Sequence, residues 1–334
     1  MKIVLDDKIP YIREAVARIT DDAVYISGSR ITAADVADAD ALIVRTRTRC
    51  GRELLDGSKV RFIATATIGY DHLDTDYLDA AGIAWTNCPG CNSGSVAQYV
   101  HSVLLLLNRD FGLPLDGSGV IGIVGCGHVG SKVRAVAELL GMKVLVCDPL
   151  LNDPAFVSMD VIERESDVIT FHVPLVMDGV YATHHLADEK FFSRLCRRPF
   201  IINTSRGAVV DNEALVAALD GGRIRQAVVD TWEHEPDIDT ALLKKVYIGT
   251  PHIAGYSADG KVNASNMSVD ALCRFFGIEC PQPAVPPSLP EGFTYTGSML
   301  ELYNPLEDSR RLKMAPSEFE RQRGNYPLRR EYLS

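Results

Sequence analysis

The chain has 334 residues, which is long for one domain, and its 46% hydrophobic and 23% charged residues are typical of a globular protein with a large core. The net charge of −10 argues against a nucleic-acid-binding protein, which needs a basic face, but it leaves room for a locally basic pocket that binds an anion. No apolar run approaches the roughly 20 residues of a membrane span, and the first residues lack the order of a signal peptide, so we predict a cytoplasmic protein.

The first part of the chain alternates short apolar runs with helical spacing, and this pattern predicts βαβ units around a parallel sheet. A long apolar helix, capped by Ser93 or Ser95, then carries the chain into a second domain. The elements predicted up to this point are strands over 2–5, 41–44 and 62–66, helices over 11–19 and 95–108, and an acidic turn over 35–40.

The second domain repeats the alternation of strand and helix, which predicts a doubly wound sheet. After it a helix returns over 267–276, and five prolines within 280–290 indicate a linker before a short tail. Strands are predicted over 120–124, 143–147, 168–171, 200–203, 226–230 and 246–249. One helix is predicted to follow the first of these strands and end at Leu140, and another to span 213–219.

A glycine-rich loop, Gly125-Cys126-Gly127-His128-Val129-Gly130, follows the first strand of the second domain and opens a helix. In a dinucleotide site the first glycine permits the turn, the second lets backbone amides approach the pyrophosphate, and the third lets the helix pack against the strand. The helix N-terminus adds a positive dipole end for the anion. Asp148, at the end of the next strand, can accept both ribose hydroxyls and would repel a 2′-phosphate, so the motif predicts NAD rather than NADP.

Arg206, Glu235 and His252 each follow a later strand of the same predicted sheet, at the edge where such sheets bind ligands. An arginine suits a carboxylate because its planar fork bonds both oxygens. A histidine titrates near neutral pH and is therefore a natural proton shuttle. We predict that Arg206 binds a substrate carboxylate, that His252 moves a proton, and that Glu235 orients and tunes His252.

Four segments that carry these residues resemble the D-isomer-specific 2-hydroxyacid dehydrogenase family: 125–130, 203–211, 230–236 and 250–255. The resemblance implies an enzyme that transfers a hydride between a 2-hydroxy acid and NAD. It also implies that the arginine, glutamate and histidine at these positions bind the carboxylate, tune the histidine and move the proton.

Together, the pattern and the resemblance predict an α/β protein with two Rossmann-like, doubly wound parallel-sheet domains and a short C-terminal dimerisation segment. Residues 1–94 with 256–280 are expected to form the substrate-binding domain, 95–255 the NAD-binding domain, and 281–334 the linker and dimerisation segment. The expected assembly is a homodimer.

Further segments resemble one branch of this family, which oxidises a phosphorylated four-carbon 2-hydroxy acid in pyridoxal phosphate biosynthesis; they are 64–72, 89–92, 170–175, 186–190 and 248–256. This resemblance implies that Thr46, Thr67 and Tyr256 contact the substrate. The residues that the motif and the resemblance together assign to NAD are Gly125, Gly127, His128, Val129, Gly130, Asp148, Val173, Asp230 and Gly255.

A phosphate needs cations of its own, and Arg45, Arg47 and Arg49 alternate just after a predicted strand, so they could share one face. Our hypothesis is that Arg45 or Arg47 contacts the phosphate or the carboxylate. The alternative is a solvated basic edge. The predicted substrate is the phosphorylated four-carbon acid of that branch, and phosphoglycerate or glycerate is the alternative. A different class of protein, an NAD-sensing corepressor or scaffold, is a further alternative.

The eight cysteines are expected to be reduced thiols, and a redox pair of Cys88 and Cys91 is the alternative. His184 and His185 lie close to Asp188 in the sequence, a grouping that could hold a metal. The expected reaction needs no metal, and none is predicted.

Overall fold

The computed structural model describes residues 1–289, 291–293 and 295–331. The chain divides into two compact units, which we call the first unit (Met1–Asn92 with Ser257–Glu291) and the second unit (Ser93–Tyr256 with Gly292–Ser334). Within the predicted linker and dimerisation segment, Pro290, Thr294 and residues 332–334 lie outside the described residues.

Short apolar runs form the strands because both faces of each parallel sheet are covered by other parts of the chain. In chain order, the strands of the described residues are β1 (Ile3–Asp6), β2 (Ala23–Ile26), β3 (Ala41–Val44), β4 (Phe62–Thr65), β5 (Ala84–Thr86), β6 (Val120–Val124), β7 (Lys143–Cys147), β8 (Val168–Phe171), β9 (Phe200–Asn203), β10 (Gln226–Val229) and β11 (Ile248–Gly249).

Helices connect successive strands, as the crossovers of a parallel sheet require. Several begin at a side-chain cap; Asp188, Asp211 and Ser257 each accept a hydrogen bond from an amide of the first turn. The α-helices of the described residues are α1 (Arg13–Ala17), α2 (Ala33–Val36), α3 (Arg52–Leu55), α4 (Thr75–Ala81), α5 (Ser93–Phe111), α6 (His128–Leu139), α7 (Met159–Glu165), α8 (Glu189–Arg194), α9 (Asn212–Asp220), α10 (Thr240–Lys245), α11 (Ala258–Phe276), α12 (Met299–Leu302), α13 (Pro305–Met314) and α14 (Phe319–Gly324).

The first unit holds a parallel sheet with the strand order β2-β1-β3-β4-β5. The chain order reverses between β1 and β3, and the carboxyl ends of strands at such a switch point are where open sheets bind ligands. Asp6 ends β1 and Arg45 follows β3, so a charged pair occupies this position.

The second unit holds a parallel sheet with the order β11-β10-β9-β8-β6-β7. The glycine-rich loop follows β6 at the switch point between β6 and β8. The predicted fold class of two doubly wound parallel sheets is confirmed. In both sheets the first strand lies between the second and third, whereas the nucleotide-binding order 3-2-1-4-5-6 places the second strand between the first and third.

Some elements differ from the sequence prediction. β2 and β5 were not predicted, and their residues are only half-buried, so they lack the strong apolar pattern of a central strand. The predicted acidic turn over 35–40 begins inside a short helix, α2, whose first turn is fixed because the side chain of Asp35 accepts the amide of Thr32 in a capping box. The returning helix begins at Ala258 rather than at Met267.

The C-terminal part of the chain packs within the second unit. Leu312 of α13 and Phe319 of α14 are buried in the same apolar cluster as Phe171 and Phe191. These apolar side chains explain why the tail folds against this unit. A role of residues 281–334 in dimerisation stays a prediction. Among the described residues, no helix combines the length and apolar character that crossing a membrane requires.

Candidate active site

The three predicted catalytic residues follow three strands that are neighbours in the sheet of the second unit. β9, β10 and β11 lie side by side, and their last residues pair in register. Arg206, Glu235 and His252 each belong to the loop that follows one of these strands. Because parallel strands bring their carboxyl ends to one edge, the topology gathers the three loops there.

Direct contacts also tie these loops together. The indole Nε1 of Trp232 donates to the carbonyl of Thr250 at 2.9 Å, which links the glutamate loop to the histidine loop. Gly207 packs so closely against the carbonyl of Trp232 that a Cβ at this position would collide with it. The glycine after Arg206 is therefore required by packing, and it holds the arginine loop beside the glutamate loop.

Glu235 and His252 form a hydrogen-bonded pair. Oε2 of Glu235 lies 2.8 Å from Nδ1 of His252, and Oε1 accepts the backbone amide of Trp232 at 2.9 Å. Burial alone would raise the pKa of Glu235, but the hydrogen bond and charge of His252, the Trp232 amide and Arg323 together lower it. An ionised carboxylate only accepts hydrogen bonds, so Nδ1 carries the proton and Nε2 of a neutral imidazole is the proton acceptor.

The backbone of His252 is held in an unusual conformation. Its φ is +56°, in the left-handed region that non-glycine residues rarely adopt. Asp230, which is only 1% exposed, accepts the amides of Ile253 at 2.8 Å and Ala254 at 2.9 Å, and the hydroxyl of Thr250 at 2.6 Å. Burial raises the pKa of Asp230 although these hydrogen bonds and His252 oppose it. Asp230 thus fixes the histidine loop, and direct contact with NAD stays a prediction.

Arg206 is half-buried, and its Nη1 donates to the carbonyl of Ser205 at 2.9 Å. The side chain of Asn203 donates to the carbonyl of Arg206 at 3.0 Å and holds the start of the loop. Within the described residues, no hydrogen bond or ion pair joins Arg206 to Glu235 or His252. Its role toward a substrate carboxylate stays a prediction.

The glycine-rich loop has the shape that a dinucleotide needs. Gly125 has a φ of +88°, and a Cβ there would lie 2.6 Å from the carbonyl of His172. A Cβ on Gly130 would collide with the carbonyl of Gly125, so this glycine lets α6 approach β6. A Cβ on Gly127 would meet no protein atom within 4 Å, and its φ is an ordinary −73°. Packing within the protein does not require this glycine, which fits close approach by a ligand.

The other predicted NAD residues surround this loop. Asp148 follows β7, and its Oδ2 accepts the amide of Cys126 at 2.8 Å, so the acid lies directly against the loop. Val173 lies 2.7 Å from where a Cβ of Gly125 would be. His128 is exposed, Val129 and Gly255 are half-buried, and α6 has no acidic residue in its first turn to repel an anion. These residues fit a dinucleotide.

The predicted substrate residues Thr46, Thr67 and Arg45 belong to the first unit. Oγ1 of Thr67 lies 2.7 Å from Oγ1 of Thr65, which is 2.9 Å from Nε2 of His72. Thr46 is exposed. Arg45 donates from Nε and Nη2 to the two carboxylate oxygens of Asp6, at 3.0 and 3.4 Å, so a buried acid already offsets its charge.

Tyr256, the remaining predicted substrate residue, lies in the second unit and contacts two arginines that the sequence analysis did not assign to this site. Its side chain is hydrogen-bonded to Arg323, and its carbonyl accepts from Nη1 of Arg329 at 2.8 Å. Both arginines come from the C-terminal part of the chain. No local signal marked them, because each acts through contacts far away in sequence.

The predicted alternatives of a cysteine redox pair and a histidine metal grouping involve residues with structural contacts. The thiol of Cys88 is buried against the carbonyl oxygens of Thr65 and Ala264, and burial raises its pKa, which disfavours the reactive thiolate. His185 is 2.8 Å from Glu233 and 3.4 Å from Asp211. In the described part of the chain, no group of three or more His, Cys, Asp or Glu side chains could hold a metal ion. All eight cysteines are free thiols.

Comparison with known proteins matches residues 109–254 to the family described as D-isomer specific 2-hydroxyacid dehydrogenase, NAD binding domain. An erythronate-4-phosphate dehydrogenase of Bacteroides thetaiotaomicron is 54% identical, over 99% of this chain and 97% of the relative. One from Porphyromonas gingivalis is 40% identical, over 99% of this chain and 94% of the relative. A crystal structure of Aquifex aeolicus D-lactate dehydrogenase with NAD and lactic acid superposes with a TM-score of 0.67, at 25% identity over 83% of this chain and 96% of the other.

These likenesses agree with the geometry: a glycine loop shaped for a dinucleotide, and a glutamate–histidine pair at the carboxyl edge of the same sheet. The chain is an NAD-dependent oxidoreductase, and it belongs to the erythronate-4-phosphate dehydrogenase family within the D-isomer-specific 2-hydroxyacid dehydrogenases.

Proposed function

We propose that this enzyme oxidises 4-phospho-D-erythronate with NAD to 3-hydroxy-2-oxo-4-phosphobutanoate, a step in pyridoxal phosphate biosynthesis. The observation that carries the reaction class is the 2.8 Å contact between Glu235 Oε2 and His252 Nδ1, which leaves Nε2 as the proton acceptor. Support for the substrate comes from the relatives that bear its name, at 54% and 40% identity.

In this proposal, Nε2 of neutral His252 accepts the proton of the C2 hydroxyl. Glu235 holds the ring in the tautomer that allows this, and it stabilises the imidazolium that forms. Arg206 binds the substrate carboxylate through its guanidinium and so orients C2. Asp230 and the strained backbone of His252 keep the ring in place without touching the substrate.

NAD, when bound, supplies the acceptor for the hydride that leaves C2. The amides of Gly127, His128 and Val129 would hold its pyrophosphate, with Gly125 and Gly130 shaping the turn. Asp148 would accept hydrogen bonds from the ribose hydroxyls. Val173, Asp230 and Gly255 complete the proposed set.

On the substrate side, we propose that Thr46, Thr67 and Tyr256 donate hydrogen bonds to the phosphorylated acid. We also propose that Arg45 or Arg47 contacts the phosphate or the carboxylate. Because Arg45 pairs with the buried Asp6, it would in addition orient the loop that carries Thr46. We further propose that the enzyme is a cytoplasmic homodimer that uses residues from 281–334 at its interface.

The decisive experiment is an NAD reduction assay that compares 4-phospho-D-erythronate with unphosphorylated erythronate, phosphoglycerate and glycerate. The phosphorylated four-carbon acid should give the highest kcat/KM, and His252→Ala should remove most of that activity. Preference for phosphoglycerate or glycerate would overturn the substrate assignment. Tight NAD binding without NADH formation from any of these acids would indicate a sensor or scaffold instead.

A further inference from the structure

Two arginines near the C-terminus reach the loops of the catalytic pair from within the same chain. Arg329 is buried, and its guanidinium donates to the carbonyls of Ile253 at 3.1 Å, Ala254 at 2.6 Å and Tyr256 at 2.8 Å. The same group lies 3.9 Å above the centre of the Tyr303 ring. Arg329 therefore fixes the backbone that follows His252, as an anchor of the loop.

Arg323, on α14, reaches the side chains of this site. Its Nη1 lies 3.7 Å from Oε2 of Glu235, the oxygen that also contacts His252. Its side chain is hydrogen-bonded to Tyr256 and is 27% exposed. The side chain of Arg323 thus contacts both Glu235, which pairs with the predicted base His252, and the predicted substrate residue Tyr256, although α14 is far from both in sequence.

We propose that Arg323 is a positioning residue of the active site, which holds Glu235 beside His252 as a carboxylate and holds the Tyr256 side chain toward the substrate. The C-terminal part of the chain would then work on the reaction within its own subunit, besides any part it has in assembly. This inference rests on the proposed function, because it takes His252 as the base and Tyr256 as a substrate contact.

Within the described residues, two other acids act on this group of charges. Buried Asp230 interacts with the charge of His252, and Glu320 lies 3.9 Å from Arg323 on its own helix. Glu233, two residues before Glu235, is taken up by His185 at 2.8 Å. Loss of the cation at position 323 would therefore act directly on the Glu235–His252 pair.

The sign of the effect follows from electrostatics. A cation next to a carboxylate and an imidazolium favours loss of protons from both, so removing it makes the coupled pair easier to protonate. Since the oxidation needs a neutral His252, the acidic limb of kcat/KM should move to higher pH. Loss of the hydrogen bond to Tyr256 should raise KM for the acid.

The test compares Arg323→Gln and Arg323→Lys with Arg321→Gln, which removes a 72% exposed arginine from the same helix. We expect Arg323→Gln to shift the acidic limb upward by about 0.5 to 1 pH unit and to raise KM about 3- to 10-fold. Arg323→Lys keeps the charge, so its acidic limb should lie close to the wild-type pH. Arg321→Gln should match the wild type in both the acidic limb and KM.

A second readout needs neither substrate nor NAD: the titration of the His252 imidazole followed by NMR. Its midpoint should rise in Arg323→Gln and stay at the wild-type value in Arg321→Gln. Equal midpoints and equal pH profiles in all variants, with only a lower Tm in Arg323→Gln, would overturn the inference and leave Arg323 a merely structural residue. If the wild type oxidises none of the acids, the proposed function fails, while the NMR titration still decides the coupling.

Discussion

Oε2 of Glu235 lies 2.8 Å from Nδ1 of His252, while the other oxygen of the same carboxylate accepts the Trp232 amide at 2.9 Å. The glutamate therefore has one oxygen fixed by the backbone and one left for the imidazole. This arrangement sets the ring orientation and the tautomer at once, so the chemistry of His252 depends on an acid that need not touch the substrate.

Glu235→Gln should lower kcat/KM by about 10²- to 10⁴-fold, because an amide that keeps the Trp232 contact presents its NH₂ group to Nδ1 and favours the wrong tautomer. Without the carboxylate the imidazolium is less stabilised, so the acidic limb of the pH profile should move to lower pH. Glu233→Gln is the matched control, since Glu233 pairs with His185 instead. Similar losses in both variants would contradict the assigned role.

Gly127 and Gly130 should respond in opposite ways to alanine. A Cβ at position 127 meets no protein atom within 4 Å, so Gly127→Ala should leave the Tm within about 1 °C of the wild type while raising KM for NAD about tenfold or more. A Cβ at position 130 collides with the carbonyl of Gly125, so Gly130→Ala should cost about 1 to 3 kcal/mol of stability. Unchanged NAD binding in Gly127→Ala would argue against a pyrophosphate at this turn.

Asp148 should set the preference for NAD over NADP. Its carboxylate lies against the glycine loop and carries the charge that would repel a 2′-phosphate. Asp148→Asn keeps an oxygen for the Cys126 amide but removes the charge, so the ratio of kcat/KM for NAD to that for NADP should fall about tenfold or more. Steady-state kinetics with both cofactors measures this, and an unchanged ratio would locate the discrimination elsewhere.

Arg45 should matter for stability more than for the substrate phosphate. Asp6 is 1% exposed, and Arg45→Met would leave its carboxylate buried without its cation, at a cost of about 3 kcal/mol. The double variant with Asp6→Asn should recover part of this loss in urea unfolding. Arg47→Met should raise KM for the phosphorylated acid. If KM is unchanged when each of Arg45, Arg47 and Arg49 is replaced, these arginines do not bind the phosphate.

The local sequence was sufficient to predict an element and its functional loop wherever a strand leads directly into a motif. β6 with its glycine loop, and β9 and β10 with their polar loops, were predicted because a buried apolar run followed by glycine or charged residues has few other interpretations. The start of α11 was missed because Gly260 and Asn263 weaken the helical pattern, and the helix depends on the Ser257 cap for its first turn.

The parts of the site that escaped prediction depend on distant contacts. Arg329 has no local signal in the sequence, yet its guanidinium donates both to carbonyls of the histidine loop and to Ser95 and Gln98 of α5. Asp230 was assigned to NAD by resemblance, and the structure gives its carboxylate three donors from that same loop. Neither role leaves a periodic or local pattern, since each requires the folded sheet to bring its partners together.

His172 should make the stability of the protein sensitive to acid. Burial lowers the pKa of its imidazole to about 3, and Nε2 keeps one neutral hydrogen bond to Oγ1 of Thr170 at 2.9 Å. The unfolded chain binds a proton here below about pH 6.5, while the folded chain stays neutral. The stabilising contribution is therefore complete above that pH and is lost progressively as pH falls toward 3.

Between pH 7 and pH 5, the wild type should lose about 2 kcal/mol more unfolding free energy than His172→Gln, whose amide can replace the bond to Thr170 without binding a proton. Urea unfolding at the two pH values measures the difference. His128→Gln, at an exposed position of the glycine loop, is the control and should follow the wild type. A buried neutral imidazole must make the unfolding free energy depend on pH, and the glutamine that replaces it does not titrate. If the wild type and His172→Gln lose the same unfolding free energy between pH 7 and pH 5, groups other than His172 cause the acid sensitivity.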